Sequence, residues 1–264
     1  MSPKKYVTAA AVIELRQRLS DSDWAIVTDV ERMRLASAVD LQTLASLRGE
    51  VQVRQFRRRL QRLFELDVLA RLERRVGGAG SGSTSWIYAL GLGGQRLVDP
   101  GDGTSVRRPW TPRSSWLNHA LASSHLYVEL RLAEQVGDIK LLDYQPEPLC
   151  WRPIDDAEGQ TTLKPDAFVR FEVGDDIASV FIEVDMATES PATLHTKLET
   201  YRRHWMTDVE QTENGVYPEV LWLVPTVGRR RVLEKVIDRQ PEETRALHRV
   251  RLYDDARAAF IEPP

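Results

Sequence analysis

The sequence predicts an α+β protein in two parts: a small helical domain closed by a β-hairpin, then an α/β-type mixed sheet flanked by helices. Three observations predict it. Helix-spaced apolar residues run from Asp21 to Glu65 and give way to two strand-like runs around a Gly/Ser tip. The stretch Asp99 to Ser115 is rich in Pro, Gly, Ser and Arg and reads as a join. Beyond it, β-rich runs alternate with amphipathic helices. The expected boundaries are 1–98, a linker at 99–115, and 116–264.

In the front part, Trp24, Val27, Val30 and Leu35 mark a first helix with Ser20 and Ser22 as candidate N-caps. A short second helix follows, with Asp40 as its expected cap and Leu41, Leu44 and Leu47 inward. The third, about Gln52 to Glu65, places Val53, Phe56, Leu60, Leu63 and Phe64 on one face. Gln55, Arg58 and Arg62 fall opposite, flanked by Arg54 and Arg59. Arginine suits DNA because its planar fork bonds phosphates and guanine edges bidentately. The runs Val68–Val76 and Trp86–Leu90 then make a hairpin whose tip is Gly77–Ser83, with Arg71, Arg74 and Arg75 on its first arm. Three helices and a hairpin make a winged helix-turn-helix with double-stranded DNA as its expected partner. The bland alternative is a basic, solvated domain used for protein contacts.

Charge agrees with the first reading. Residues 1–116 hold 19 Lys/Arg and 12 Asp/Glu, a formal +7, although the whole chain carries −3. A basic half on an acidic protein points to a polyanion. The lone cysteine, Cys150, excludes a disulfide framework and fits a reducing, cytoplasmic setting. Glu14, Arg16 and Arg18 interrupt the N-terminal apolar patch, which argues against a secretory signal. No apolar run approaches the roughly 20 residues of a membrane span.

In the back part, Trp116–Val136 is a helix with two apolar stripes and a polar stripe of Asn118, His125 and Glu129. Leu141–Trp151 reads as a strand, and Ala167–Val173 and Ala178–Asp185 as a hairpin turning at Gly174-Asp175-Asp176. One helix is expected from Pro191 to Gln211, then a strand at Glu219–Pro225, a helix at Gly228–Arg239 and a strand at Leu247–Tyr253. Glu183 and Asp185, two apart on a strand, share a face, and Asp166 opens the neighbouring strand. Lys197 lies beside the apolar stripe of the next helix, where it can aim an ammonium at those acids. Hard oxygen ligands and a nearby cation are the inventory of metal-dependent phosphodiester chemistry. The expected catalytic set is Asp166, Glu183, Asp185 and Lys197; the expected Mg2+ ligands are Asp166, Glu183, Asp185 and Glu129. The competing reading is a structural ion-pair network. A nucleophilic role for Tyr201 is disfavoured, because it falls on the apolar stripe.

The order of elements and the Pro165-Asp166…Glu183-Val184-Asp185 pattern resemble the PD-(D/E)XK nuclease superfamily. The usual lysine position is held by Asp185, and Lys197 would be the migrated substitute. More narrowly, the chain looks like the replication-relaxation family of plasmid and conjugative-element proteins. The resemblance rests on the Arg-rich third helix, Asn118-His119-Ala120-Leu121-Ala122, Lys164-Pro165-Asp166-Ala167, and Glu183 running on to Thr188-Glu189, Lys197-Leu198 and Tyr201. It covers roughly residues 20–225 and implies a role in plasmid replication and DNA relaxation. Separately, a homodimer or replication and mobilisation proteins are the expected protein partners. Two readings of the back half stand: a Mg2+-dependent nuclease, or a non-cleaving scaffold joined to a DNA-binding regulator.

Overall fold

The computed structural model describes residues 8–50, 52–72, 86–99 and 114–262. The chain divides into two compact units, Met1–Val128 and Glu129–Pro264. The division falls inside a helix instead of in the Pro/Gly-rich stretch, most of which lies outside the described residues.

The first unit runs α1 (Ala9–Arg18), α2 (Asp21–Met33), β1 (Ala36–Ser37), α3 (Ala38–Leu47), α4 (Val53–Glu65), β2 (Leu69–Leu72), β3 (Ile87–Leu90) and α5 (Leu92–Val98). Ser20 caps α2 in a reciprocal box with Asp23, as Ser/Thr–acid pairs at this spacing do. At α3 the cap is Ser37 and not Asp40: Asp40 sits three residues in, and its backbone N–H donates to Ser37 Oγ at 3.0 Å. Ile26, Val27, Val30, Leu41, Leu44, Phe56, Leu60, Leu63 and Ile87 build the core. The strands form an antiparallel sheet in the order β1-β3-β2. Hairpin residues 73–85, including Arg74 and Arg75, lie outside the described residues.

The base of the hairpin is locked by glycines. Asp67 turns the chain with φ +57, and its carbonyl accepts the N–H of Gly93 at 2.9 Å. Val68 O accepts the N–H of Gly91, also at 2.9 Å. Gly94, on the first turn of α5, lies so close that a Cβ would overlap Val68 O.

The helix α6 (Ser114–Gln135) carries the division. Its first part packs on the first unit: Ser124 Oγ donates to Met33 O at 2.8 Å, His125 Nδ1 is 2.8 Å from Asp40 Oδ1, and Tyr127 OH accepts from Arg32 at 2.5 Å.

The second unit continues with β4 (Lys140–Pro146), β5 (Arg152–Asp156), β6 (Gly159–Leu163), β7 (Ala167–Val173), β8 (Asp176–Val184), α7 (Pro191–Trp205), α8 (Val209–Asn214), β9 (Glu219–Val224), α9 (Val227–Ile237), α10 (Glu242–Arg245), β10 (His248–Leu252) and α11 (Ala256–Ile261). The main sheet has the order β10-β9-β8-β7-β4. Strands β8, β9 and β10 are parallel, whereas β7 pairs antiparallel with both β8 and β4. Strand β9 is buried along Val220–Val224, the burial expected of a strand with parallel neighbours on both sides. Two expectations are corrected. The expected single strand at Leu141–Trp151 ends at Pro146, and a separate antiparallel hairpin, β5–β6, follows. The expected helix from Pro191 to Gln211 breaks at Asp208, which adopts φ +61.

Trp222, Tyr201, Phe181, Leu194, Leu198 and Leu233 fill the core between β8–β9 and α7 and α9. Two histidines are built into it without charge. Trp222 Nε1 donates to His248 Nδ1 at 3.2 Å, and His204 Nδ1 is 3.0 Å from Tyr217 OH. Burial lowers both pKa values to about 4. The unfolded chain, with ordinary histidines, therefore binds more protons between pH 6.5 and 4. Stability from these groups is present above 6.5 and is lost as pH falls through 4. His248 alone accounts for about 2 kcal/mol at pH 5. Urea midpoints measured from pH 7 to 4.5 should fall more steeply in the wild type than in His248→Gln; equal slopes would contradict a neutral, half-buried His248.

Candidate functional site

In the first unit the candidate surface is the outward side of α4. Phe56, Leu60 and Leu63 are buried, and Arg54, Gln55, Arg57, Arg58, Gln61 and Arg62 are exposed. A shallow depression of about 550 Å³ is lined by Val53, Arg54, Arg57, Arg58, Gln61, Arg62 and Glu65. Val53 and Phe64, expected in the core, are exposed.

The arginines divide into two groups. Arg62 is ion-paired with Asp23, which is fully buried at the start of α2, and Arg59 pairs with Glu50 and lies 3.6 Å from Asp23. Burial works against the Asp23 charge, but hydrogen bonds from Ser20 and Arg62 together hold its carboxyl below the usual range. Arg54, Arg57 and Arg58 have no such acidic partner among the described residues. Arg57 is absent from the residues nominated by helical spacing. Its exposure next to Arg54 and Arg58 widens the basic face. Arg71 turns onto aromatic rings, as described below.

In the second unit the candidate site gathers where β7 begins and β8 ends. The antiparallel register pairs Ala167 with Ile182, which brings Asp166 beside Glu183 and Val184. Asp166 Oδ2 accepts the Val184 N–H at 2.7 Å. The Glu183 carboxylate is buried, with Oε1 bonded by Tyr201 OH at 2.8 Å and Oε2 by Lys197 Nζ at 2.9 Å. Lys197 also lies 3.1 Å from Glu189 Oε1. Lys197 and Tyr201 are one helical turn apart on α7, so both reach the same carboxylate.

Burial pushes the Glu183 carboxyl well above its ordinary range against the pull of Lys197, and the charge of Asp166 adds to the rise. Burial opposes the Lys197 charge too, but Glu183, Asp166 and Glu189 outweigh it and raise its pKa. Burial also raises the Tyr201 phenol, with Glu183 adding to it. Tyr201 is therefore a hydrogen-bond donor to Glu183. Cys150, behind Pro165, is a buried thiol that donates to Pro165 O at 3.0 Å, its pKa pushed up to about 12 by burial and then by Asp166.

Asp185 departs from the expected set. It lies just past β8, where its N–H donates to Leu223 O. Its carboxylate is held by Arg229 through Nε at 2.5 Å and Nη2 at 3.0 Å, and Arg229 Nη2 also reaches Glu189 O at 2.9 Å. Arg229 comes from the first turn of α9, three residues after its cap Thr226, and its sequence neighbourhood gives no sign of this partnership.

Asp166, Glu183, Asp185 and Glu129 are not gathered into one ligand set: among the described residues no three His, Cys, Asp or Glu side chains are placed to hold a metal. Glu183 spends both oxygens on Lys197 and Tyr201, and Asp185 spends both on Arg229. As they stand, the carboxylates do not fit a divalent ion as a three-acid group.

Among the described residues no helix is long and apolar enough to cross a membrane. No curated protein matches the chain. Residues 27–220 match the family described as Replication-relaxation, a span from within α2 into β9 that contains the basic face of α4 and the whole Asp166–Glu183–Lys197–Tyr201 cluster. That match covers well over half of the sequence, and the chain belongs to the replication-relaxation family.

Proposed function

We propose that the chain is a DNA-binding protein of a mobile genetic element, of plasmid replication and relaxation type. The first unit is a winged helix-turn-helix, with α3 and α4 as its paired helices and β2–β3 as its wing. Helix α4 enters the major groove of double-stranded DNA with Arg54, Arg57 and Arg58 toward it. The observation that carries this reading is three arginines without acidic partners among the described residues, opposite the buried Phe56–Leu60–Leu63 stripe.

The second unit is a PD-(D/E)XK-like domain acting as a non-cleaving scaffold for a second copy or for replication and mobilisation proteins. Supporting this is the internal pairing of its acids: Glu183 with Lys197, alongside a hydrogen bond from Tyr201, and Asp185 with Arg229. Metal-dependent cleavage is the second reading. The grouping of Asp166, Glu183 and Lys197 at one end of the sheet favours it.

Binding and cleavage of duplex DNA separate the two. Replacing Arg54 and Arg58 by Ala should weaken duplex binding at least tenfold, at about 1–3 kcal/mol for a base-directed arginine. Asp166→Ala and Glu183→Gln should bind as the wild type does, and the wild type should not nick DNA in magnesium or manganese. Metal-dependent nicking that both substitutions abolish would replace the scaffold by a nuclease. Unchanged affinity in the double arginine variant would remove α4 as the DNA-contacting helix.

A further inference from the structure

At the end of α4 nearest the hairpin, Arg71 of β2 is stacked between rings. Its guanidinium carbon lies 4.5 Å from the centroid of Phe64, 4.7 Å from that of Trp86 and 5.6 Å from that of Tyr88. Arg71 Nη2 donates to Gln61 Oε1 at 2.6 Å, and Gln61 Nε2 donates to Glu65 Oε1 at 2.7 Å. The half-buried guanidinium is thus engaged by three rings and by Gln61.

Tyr88 is buried, but Trp86 remains 41% exposed and Phe64 39%. Trp86 and Phe64 together leave an aromatic surface open at this end of the helix. The tryptophan's backbone is fixed, because Trp86 O accepts the N–H of Ala38 at 2.9 Å. The ring is pre-oriented by the stack beneath it, so a planar ligand can dock without first ordering it.

The stack adjoins the basic face of α4. Gln61 holds Arg71 and also lines the depression with Arg54, Arg57 and Arg58. From Arg58 to Phe64 is about 9 Å along a helix, or under three base-pair steps. Among the described residues Glu65 is the acid of α4 at this end, and its Oε1 accepts from Gln61. A polyanion lying along the arginines would bring its next bases to an exposed aromatic surface. Aromatic side chains bind unpaired bases by stacking, whereas bases inside a duplex are already stacked.

We propose that Trp86 stacks an unpaired base beside a duplex held by α4, so that the unit binds DNA where double strand gives way to single strand. The inference rests on the DNA-binding reading of α4 and names its substrate class: a duplex end with an overhang, or a fork.

The test compares a blunt labelled duplex with the same duplex carrying a short single-stranded overhang, using full-length protein and fluorescence anisotropy. The wild type should prefer the overhang about five- to a hundredfold, the range of one aromatic–base stack. Trp86→Leu, which keeps an apolar packing group, should erase that preference and leave blunt-duplex affinity within about twofold. Trp86→Phe should retain most of it. A wild type without overhang preference overturns the proposal but leaves the α4 reading standing. An overhang preference that survives Trp86→Leu overturns it too, as does a parallel loss on both DNAs in the Leu and Phe variants, which would make Trp86 a packing residue. An overhang preference lost in Trp86→Leu, alongside unchanged blunt-duplex affinity in the Arg54/Arg58→Ala variant, would remove the α4 reading and keep the stacking site.

Discussion

Arg229→Ala is expected to destabilise the sheet unit by about 3–5 kcal/mol, the usual cost of leaving one member of a buried ion pair without the other. Asp185 and Arg229 are almost fully buried, with side chains 2% and 9% exposed, and the pairing is bidentate. Removing the guanidinium strands a carboxylate that retains the Ala187 N–H at 2.9 Å as a donor. It also frees Glu189 O, which Arg229 holds. Lysine in its place carries the charge but not the two-pronged geometry, so Arg229→Lys should recover only part of the loss. The double change Asp185→Ala with Arg229→Ala should be milder than Arg229→Ala alone, because no buried charge is left over. Urea unfolding of the four proteins measures this. A loss below about 1 kcal/mol for Arg229→Ala would put the pair in the class of solvated surface bridges.

Gly94→Ala should destabilise the first unit by about 2 kcal/mol or more, against the sign of helix propensity. Alanine inside a helix is ordinarily favoured over glycine by about 1 kcal/mol. Here the added methyl would overlap Val68 O and press on the Leu90 side chain, 3.2 Å away. The carbonyl cannot retreat freely, since it accepts the Gly91 N–H. Overpacking of this kind costs about 1–3 kcal/mol, and a displaced backbone hydrogen bond adds to it. Gly228→Ala is the control. That glycine is also helical, and a Cβ there would meet only Thr226 Oγ1 at 3.8 Å, so the propensity gain should appear undiminished. Thermal unfolding that shows Gly94→Ala to be neutral would mean that α5 shifts freely on the hairpin base.

What the sequence disclosed follows the range of the forces involved. Helix α4 was legible because its amphipathic period is local: Phe56, Leu60 and Leu63 are buried as their spacing requires. Strands β7 and β8 were legible from two β-branched and aromatic runs around Gly174, whose φ of +59 suits the turn. The reach of Lys197 to Glu183 was legible from its place beside the apolar stripe of α7.

Long-range pairing was not legible. Arg62 finds Asp23 across 39 positions, and Arg229 finds Asp185 across 44, with no periodicity to connect them. The hairpin β5–β6 was hidden by its polar composition, including Gln160, Thr161 and Thr162, which reads as loop until Arg203 of α7 is seen clasping Asp156 at 2.6 Å. The outward arginines of α4 look alike in the sequence, and only the fold separates those turned to Asp23 and Glu50 from those left facing outward.

That separation fixes how the protein should respond to ionic strength. Each cation that neutralises a phosphate releases condensed counterions, so the logarithm of affinity falls with the logarithm of salt by about 0.9 per contact. Arg59 and Arg62 already neutralise carboxylates of their own chain and have little left to exchange. On the proposed DNA-binding role, with Arg54, Arg57 and Arg58 doing the exchanging, α4 should contribute a slope of about −3, shallow for a helix so rich in arginine. Two of its arginines fasten α4 to neighbouring segments of the same chain, and on the proposed DNA-binding role only the remainder is available to a phosphate backbone.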